Sequence, residues 1–211
     1  MTHTLYREGT VESLKNDYVF VITGATNFNK KGCAPRLRKM LEILSTFQPI
    51  NLGSMNVGTI GRGTPVKVII QGTPDTSISQ AVFDDKETAI KALRALNEAN
   101  LGISVTISGL NEEVKDIIKK ASVGEFPHTV NLALGFMGKR EKAPSDDARL
   151  ITTMCGHAMI SEGIVNHLLD KIKNDIITPI DAAVVLAKQC TCGAFNTVRA
   201  AQLLEQLTSP K

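Results

Sequence analysis

Runs of apolar residues alternate with helical patterns along the first part of the chain. The run YVFVIT at residues 18–23 is continuously apolar and β-branched, which indicates a strand buried on both faces. Three further strands are predicted over residues 77–83, 101–108 and 128–136. Continuous apolar strands of this kind are typical of parallel sheets whose two faces are both covered by helices.

Amphipathic helices are predicted between these strands. One begins near Pro35, one follows a capping box formed by Asp84 and Glu87, and one is capped by Asn111. The segment after Pro65 is consistent with either a short helix or a strand. Because strands alternate with helices, we predict an α/β fold built on a parallel sheet of about four or five strands.

Beyond a charged linker at residues 138–145, with the sequence GKREKAPS, the pattern becomes purely helical. Helix starts are predicted at Ser145, at Thr178 with Pro179, and at Asn196. We therefore predict two units, an α/β body over residues 1–138 and a small helical subdomain over residues 146–211. Three of the chain's four cysteines lie in the helical subdomain.

Composition and charge narrow the classes of partner. Aromatic residues make up only 4% of the chain and the net charge is +3, so neither stacking platforms nor a strong basic surface indicates nucleic-acid binding. We expect no secretory signal, because residues 1–18 contain no apolar h-region, and no apolar run reaches the roughly 20 residues of a membrane helix. We expect a cytoplasmic protein with no membrane or nucleic-acid partner, whose cysteines are free, metal-bound or catalytic.

Two short motifs in the helical subdomain concentrate potential metal ligands. Residues 189–193 read QCTCG and carry Cys190 and Cys192, whereas residues 153–157 read TMCGH and carry Cys155 and His157. The glycines indicate tight corners between helices, and a following helix N-terminus stabilises thiolates. If the two corners converge, they supply three sulfurs and one nitrogen, enough for a four-ligand metal site.

The spacing favours an iron–sulfur cluster over zinc, because paired zinc ligands are usually separated by two or more residues. Cys33 could act as an additional ligand or as a reactive thiol. Zinc, a thiol redox couple and chemically inert buried cysteines are the alternatives.

A second candidate site is an anion pocket. Lys30, Lys31 and Arg36 surround Cys33 just before a predicted helix, and the glycine-rich run GTIGRGTP with Arg62 is a second, separate anion turn. Basic residues and free backbone N–H groups at a helix start bind phosphate or carboxylate. The alternative interpretation is a solvated basic helix face.

Three functional hypotheses follow. The first is a metal-binding, iron–sulfur protein with a redox or electron-transfer role on or beside a small anionic ligand, working with a redox protein partner. The second is an α/β module that binds a small anion and whose C-terminal cysteines are structural or bind zinc. The third is an interaction subunit without a cofactor. The motifs do not decide whether the protein is an enzyme.

Overall fold

The computed structural model describes residues 6–133, 135 and 137–209, and its centre is one five-stranded sheet. The strands are β1 (Tyr18–Thr23), β2 (Asn51–Ser54), β3 (Gly58–Thr59), β4 (Ile78–Phe83) and β5 (Val105–Ser108). Their order across the sheet is β3-β2-β4-β1-β5, and every neighbouring pair is antiparallel.

Helices surround the sheet and make up much of the remaining chain. They are α1 (Val11–Leu14), α2 (Ala34–Thr46), α3 (Val66–Gly72), α4 (Lys86–Ala99), α5 (Asn111–Lys120), α6 (Asp146–Thr152), α7 (Glu162–Lys173), α8 (Pro179–Ala187) and α9 (Thr197–Thr208). Short 3₁₀ helices occupy Ile60–Arg62 and Arg140–Lys142. Over the described residues, no helix combines the length and apolar character needed to span a bilayer.

Several helix boundaries match the sequence predictions. Ser145, Thr178 and Asn196 are the N-cap residues of α6, α8 and α9, which confirms all three predicted starts. The segment after Pro65 is helical. The cap of α4 is Asp85, one residue later than the predicted Asp84, and its carboxylate accepts the N–H of Thr88 at 2.7 Å.

The predicted parallel sheet is wrong. Strands β1 and β2, which α2 connects, point in the same direction, but β4 lies between them and is antiparallel to both. Likewise β1 lies between β4 and β5, which α4 connects. The four longer strands thus form two interleaved split β-α-β units, the topology called ferredoxin-like. Alternation along the sequence cannot reveal that another strand is inserted between two connected strands.

Both faces of this antiparallel sheet are buried, which explains the continuous apolar run in β1. On one face Tyr18, Phe20 and Ile22 form a core with α2, α4 and α5. On the other face Val19 and Val21 form a second core with α6, α7, α8 and α9. The C-terminal helices therefore act as the second covering layer, a role that the sequence pattern assigned to parallel-sheet crossovers.

The strand predicted over residues 128–136 is not formed by the part of it that the structure describes. Its described residues, 128–133 and 135, are irregular and exposed, whereas residues 134 and 136 lie outside the described residues. Strands β2 and β3 come instead from the glycine-rich run NLGSMNVGT, which had not been predicted as strand. Pairing and packing outweigh intrinsic β-propensity in both places.

Candidate functional site

Three of the predicted ligands meet in the core between the sheet and the C-terminal helices. Cys155 lies in the loop between α6 and α7, and Cys190 and Cys192 lie in the loop between α8 and α9. Their exposed fractions are 2%, 0% and 0%. The Sγ atoms of Cys190 and Cys192 are 3.8 Å apart, and the Cys155 thiol also hydrogen-bonds to Cys190. Cys190 is therefore the central member of a three-thiol cluster.

Two glycines allow the cysteine-bearing loop to lie directly on the sheet. Gly193 has a φ of +88°, and a Cβ atom placed on it would be 2.8 Å from the backbone nitrogen of Gly53 in β2. A Cβ atom on Gly53 would in turn be 2.6 Å from the carbonyl oxygen of Cys192. Only glycine fits at both positions, because the two backbones are in van der Waals contact.

Asn51, the first residue of β2, fixes the far end of this loop. It is fully buried, and its Nδ2 donates to the carbonyl oxygen of Phe195 at 3.1 Å. Its Oδ1 accepts the backbone N–H of Gly61 at 3.2 Å. Both ends of the amide are thus used, and the loop is held by strand β2 over several residues.

The N-terminal segment joins the two cysteine-bearing loops. The backbone N–H of Glu8 donates to Thr153 Oγ1 at 3.0 Å, two residues before Cys155. Arg7 Nη2 donates to the carbonyl oxygen of Ala194 at 2.6 Å, two residues after Cys192. The segment therefore contacts the loops on either side of the thiol cluster.

Backbone N–H groups approach all three sulfurs. Those of His157 and Met159 act on Cys155 in the direction that lowers its pKa. Those of Cys192 and Gly193 act in the same direction on the pKa of Cys190, and that of Ala194 does so on Cys192. Such donors stabilise negative charge on sulfur, as helix N-termini do.

The contacts distribute negative charge unequally among the three thiols. Hydrogen bonds from Cys155 and Cys192, together with the nearby backbone N–H groups, lower the pKa of Cys190 despite its burial. The hydrogen bond to Cys190, followed by burial, raises the pKa values of Cys155 and Cys192. The central sulfur is thus the one that loses its proton most readily.

The thiol cluster is not a preassembled four-ligand centre. Among the described residues, no group of three or more histidine, cysteine, aspartate or glutamate side chains is arranged so that it could hold a metal ion. The half-buried His157 is associated with the cluster through its backbone N–H, which reaches Cys155. Metal binding would therefore require the three sulfurs to move toward a common centre.

Cys33 is separated from the thiol cluster by the sheet. It belongs to the core on the face covered by α2 and α4, and its thiol donates to the carbonyl oxygen of Asp75 at 3.4 Å. Burial, followed by the charge of Asp75, raises the pKa of Cys33. Cys33 is neither a partner of the other thiols nor an activated nucleophile in this structure.

The predicted anion pocket is occupied by a carboxylate of the protein itself. Asp75 accepts the backbone N–H groups of Gly32 and Ala34, both at 2.7 Å, and these hydrogen bonds lower its pKa. Arg36 donates to the carbonyl oxygen of Asn29 at 2.9 Å. The start of α2 thus already has its anionic partner.

The two predicted anion-binding segments lie in different parts of the molecule. Lys30 and Lys31 follow the end of β1 and line an open depression. Arg62 is exposed. It lies near the beginning of β2, because the backbone N–H of the neighbouring Gly61 donates to Asn51, the first residue of that strand. Because β1 and β2 point in the same direction, the lysines and Arg62 lie at opposite ends of the sheet.

The positions of Gly53, Arg7 and Asp75 could not be predicted from sequence patterns. A glycine inside a strand signals close backbone approach, but that signal required β2 to be recognised first. Arg7 and Asp75 form hydrogen bonds with loops that are distant in the sequence, and no local motif marks either residue. Comparisons with known proteins add nothing to these assignments, since no family model, curated protein or solved structure matches the chain.

Proposed function

We propose that this is a metal-binding protein that holds a soft metal through the thiolates of Cys155, Cys190 and Cys192. The observation that carries the proposal is the 3.8 Å contact between the buried Cys190 and Cys192 sulfurs, beside which the buried Cys155 of a separate loop interacts with Cys190. Thiolate sulfur is selective for soft metals such as zinc, copper(I) and the iron of iron–sulfur clusters.

The backbone environment of the sulfurs supports this proposal over inert packing. Buried cysteines that act only as small apolar groups do not need hydrogen-bond donors. Here five backbone N–H groups act on the three cysteines in the direction that lowers their pKa values, which favours the thiolate form. A thiolate in a medium of low dielectric constant requires a compensating cation, and a metal ion would supply it by replacing the thiol protons.

The burial of the site favours particular roles for the metal. Catalytic metals keep an open position for water or substrate, whereas structural sites are closed. Exposed fractions of 0–2% for the three cysteines fit a metal that joins the two loops or transfers electrons. A metal that binds substrate directly would need access that these residues do not have.

Metal analysis of the purified protein tests the proposal. The protein is purified without oxygen, and zinc, copper, iron and sulfide are measured per chain. We expect metal in the wild-type protein and its loss in Cys190→Ser, because Cys190 contacts both other thiols.

Cys33→Ser is the matched control, since Cys33 is equally buried but lies on the other face of the sheet. It should retain the wild-type metal content. Circular dichroism of each variant establishes that it is folded. A wild-type protein that contains no metal and takes none up, or equal loss from both variants, would rule the proposal out.

A further inference from the structure

Helix α8 is apolar on its outer face as well as on the face that packs against the core. Of its nine residues, PIDAAVVLA, only Asp181 is charged. The buried inner face consists of Ala182, Ala183, Leu186 and Ala187. On the outer face Ile180 and Val184 are 50% and 42% exposed. Because a helix that is apolar all round is normally buried on every side, the outer face of α8 lacks a covering layer in the single chain.

The exposed aliphatic side chains of this region form one stripe. Ile180 and Val184 are four residues apart and therefore neighbours on the helix surface, and Ile176, which is 68% exposed, precedes them at the same spacing. The outer face of α5 differs, since Glu112 and Lys115 pair with each other there. The stripe on α8 is the kind of surface that is covered by another molecule.

We infer that the outer face of α8 binds the same face of a second copy of this chain, as an antiparallel helix pair about a twofold axis. Asp181 and Lys188 are both exposed, and their spacing of two turns places them on the face that carries Val184. In an antiparallel pair centred on Val184, Asp181 lies about 4.5 Å along the axis from the centre, and Lys188 of the other copy lies about 6 Å from it on the same side. Each Asp181 therefore meets a Lys188, twice per dimer.

This charge pattern favours a second copy over an unrelated partner. Within the described part of the chain, neither Asp181 nor Lys188 forms an ion pair, so both charges are available to another molecule. A twofold interface is self-complementary when one patch carries both members of a pair. The antiparallel arrangement also places opposite ends of the two helix dipoles side by side.

The size of the stripe sets the expected strength of the dimer. Three aliphatic side chains and two ion pairs make an interface at the small end of those that proteins form, and such interfaces bind reversibly. We therefore expect a monomer–dimer equilibrium with a Kd of about 1–100 µM. Sedimentation equilibrium of the full chain over this range of concentration measures it, with a reductant present so that no disulfide contributes.

A substitution at the centre of the stripe tests its location. Val184→Glu should raise the Kd by about tenfold or more, because it brings two carboxylates together at the axis. Val68→Glu is the matched control, since Val68 is also a helical valine, is 49% exposed and lies on α3. It should leave the Kd unchanged. Circular dichroism checks that both variants are folded.

A charge exchange tests the antiparallel pairing. Lys188→Glu alone should also raise the Kd, because it places like charges opposite each other. Combining it with Asp181→Lys should restore dimerisation toward the wild-type value, which a partner other than the same chain would not produce. These charge variants decide the question even if Val184→Glu does not fold.

The results that would overturn the inference are distinct. A wild-type chain that remains monomeric throughout the range would leave a different protein as the occupant of this face. A dimer that Val184→Glu and Val68→Glu weaken equally would place the interface elsewhere. A double charge variant that regains no affinity would exclude the antiparallel pair. None of these results depends on whether the three thiols bind a metal.

Discussion

Gly193 has a backbone conformation and a close contact that together exclude other residues. At a φ of +88°, an alanine is strained by about 1–2 kcal/mol, and its methyl group would lie 2.8 Å from the Gly53 nitrogen. That nitrogen belongs to strand β2 and cannot rotate away. The loop or the strand must therefore shift if any side chain is introduced at this position.

We predict that Gly193→Ala lowers the free energy of unfolding by about 3 kcal/mol or more, since strain and overpacking add. Gly63→Ala is the matched control, because Gly63 also has a positive φ of +82° but no atom lies within 4 Å of its added Cβ. It should cost about 1 kcal/mol. Urea denaturation measures both, and equal losses would contradict the close contact between Gly193 and β2.

Sequence patterns locate reactive residues better than they locate their partners. The i, i+2 spacings placed Cys155, Cys190 and Cys192 on tight corners between helices, where the structure has them. Nothing local indicated that Cys33 faces the opposite core, because the face of a loop residue depends on how the whole sheet is covered. Asp75, which accepts the backbone N–H groups at the start of α2, could not be identified from the sequence for the same reason.

At the scale of elements, a buried ionic network fastens the N-terminal segment to α9. Asp17 accepts from Arg7 Nη1 at 2.7 Å and lies 3.4 Å from Arg199 Nη1, and the side chains of Asp17 and Arg199 are both 1% exposed. Burial is the main influence on the pKa of Arg199 and lowers it, whereas the charge of Asp17 acts in the opposite direction. One carboxylate therefore balances two guanidinium groups.

Removing that carboxylate leaves buried positive charge without a counterion. We predict that Asp17→Asn lowers the free energy of unfolding by about 3–5 kcal/mol. The control is Glu42→Gln, which breaks a pair with Lys39 whose two side chains are 56% and 58% exposed and should change stability by about 0.5 kcal/mol or less. If thermal or urea unfolding gives similar values for the two variants, the network is not stabilising the fold as described.

The order of elements was largely predictable, but their pairing was not. Most helices and the strands β1, β4 and β5 follow from hydrophobic periodicity and from capping residues. Whether two neighbouring strands are parallel or antiparallel depends on whether a third strand is inserted between strands that a helix connects. That insertion is decided by how the two faces of the whole sheet are buried. The exposed run at 128–133 has strand-forming residues but pairs with none of the described strands.

At the scale of the whole molecule, strand β1 belongs to both cores at once. Val19 and Val21 pack against the C-terminal helices, whereas Phe20 and Ile22 pack against α2 and α4. Loss of the C-terminal layer would expose one full face of the sheet, and each large apolar side chain so exposed costs about 1.5–3 kcal/mol. The two layers therefore stabilise each other through a shared sheet.

We accordingly predict one cooperative unfolding transition, although the sequence suggested two units divided near residues 138–145. In calorimetry the measured and van't Hoff enthalpies should agree, with a ratio of about 1. Amides in α7, α9 and β1 should also reach the same maximal free energy of opening in native-state hydrogen exchange, because none of these elements can separate without uncovering the others. Two resolved calorimetric peaks, or C-terminal helices that open at a distinctly lower free energy than β1, would show instead that residues 146–209 unfold as an independent unit. The loops that carry the three thiols would then be anchored to each other more firmly than to the sheet beneath them.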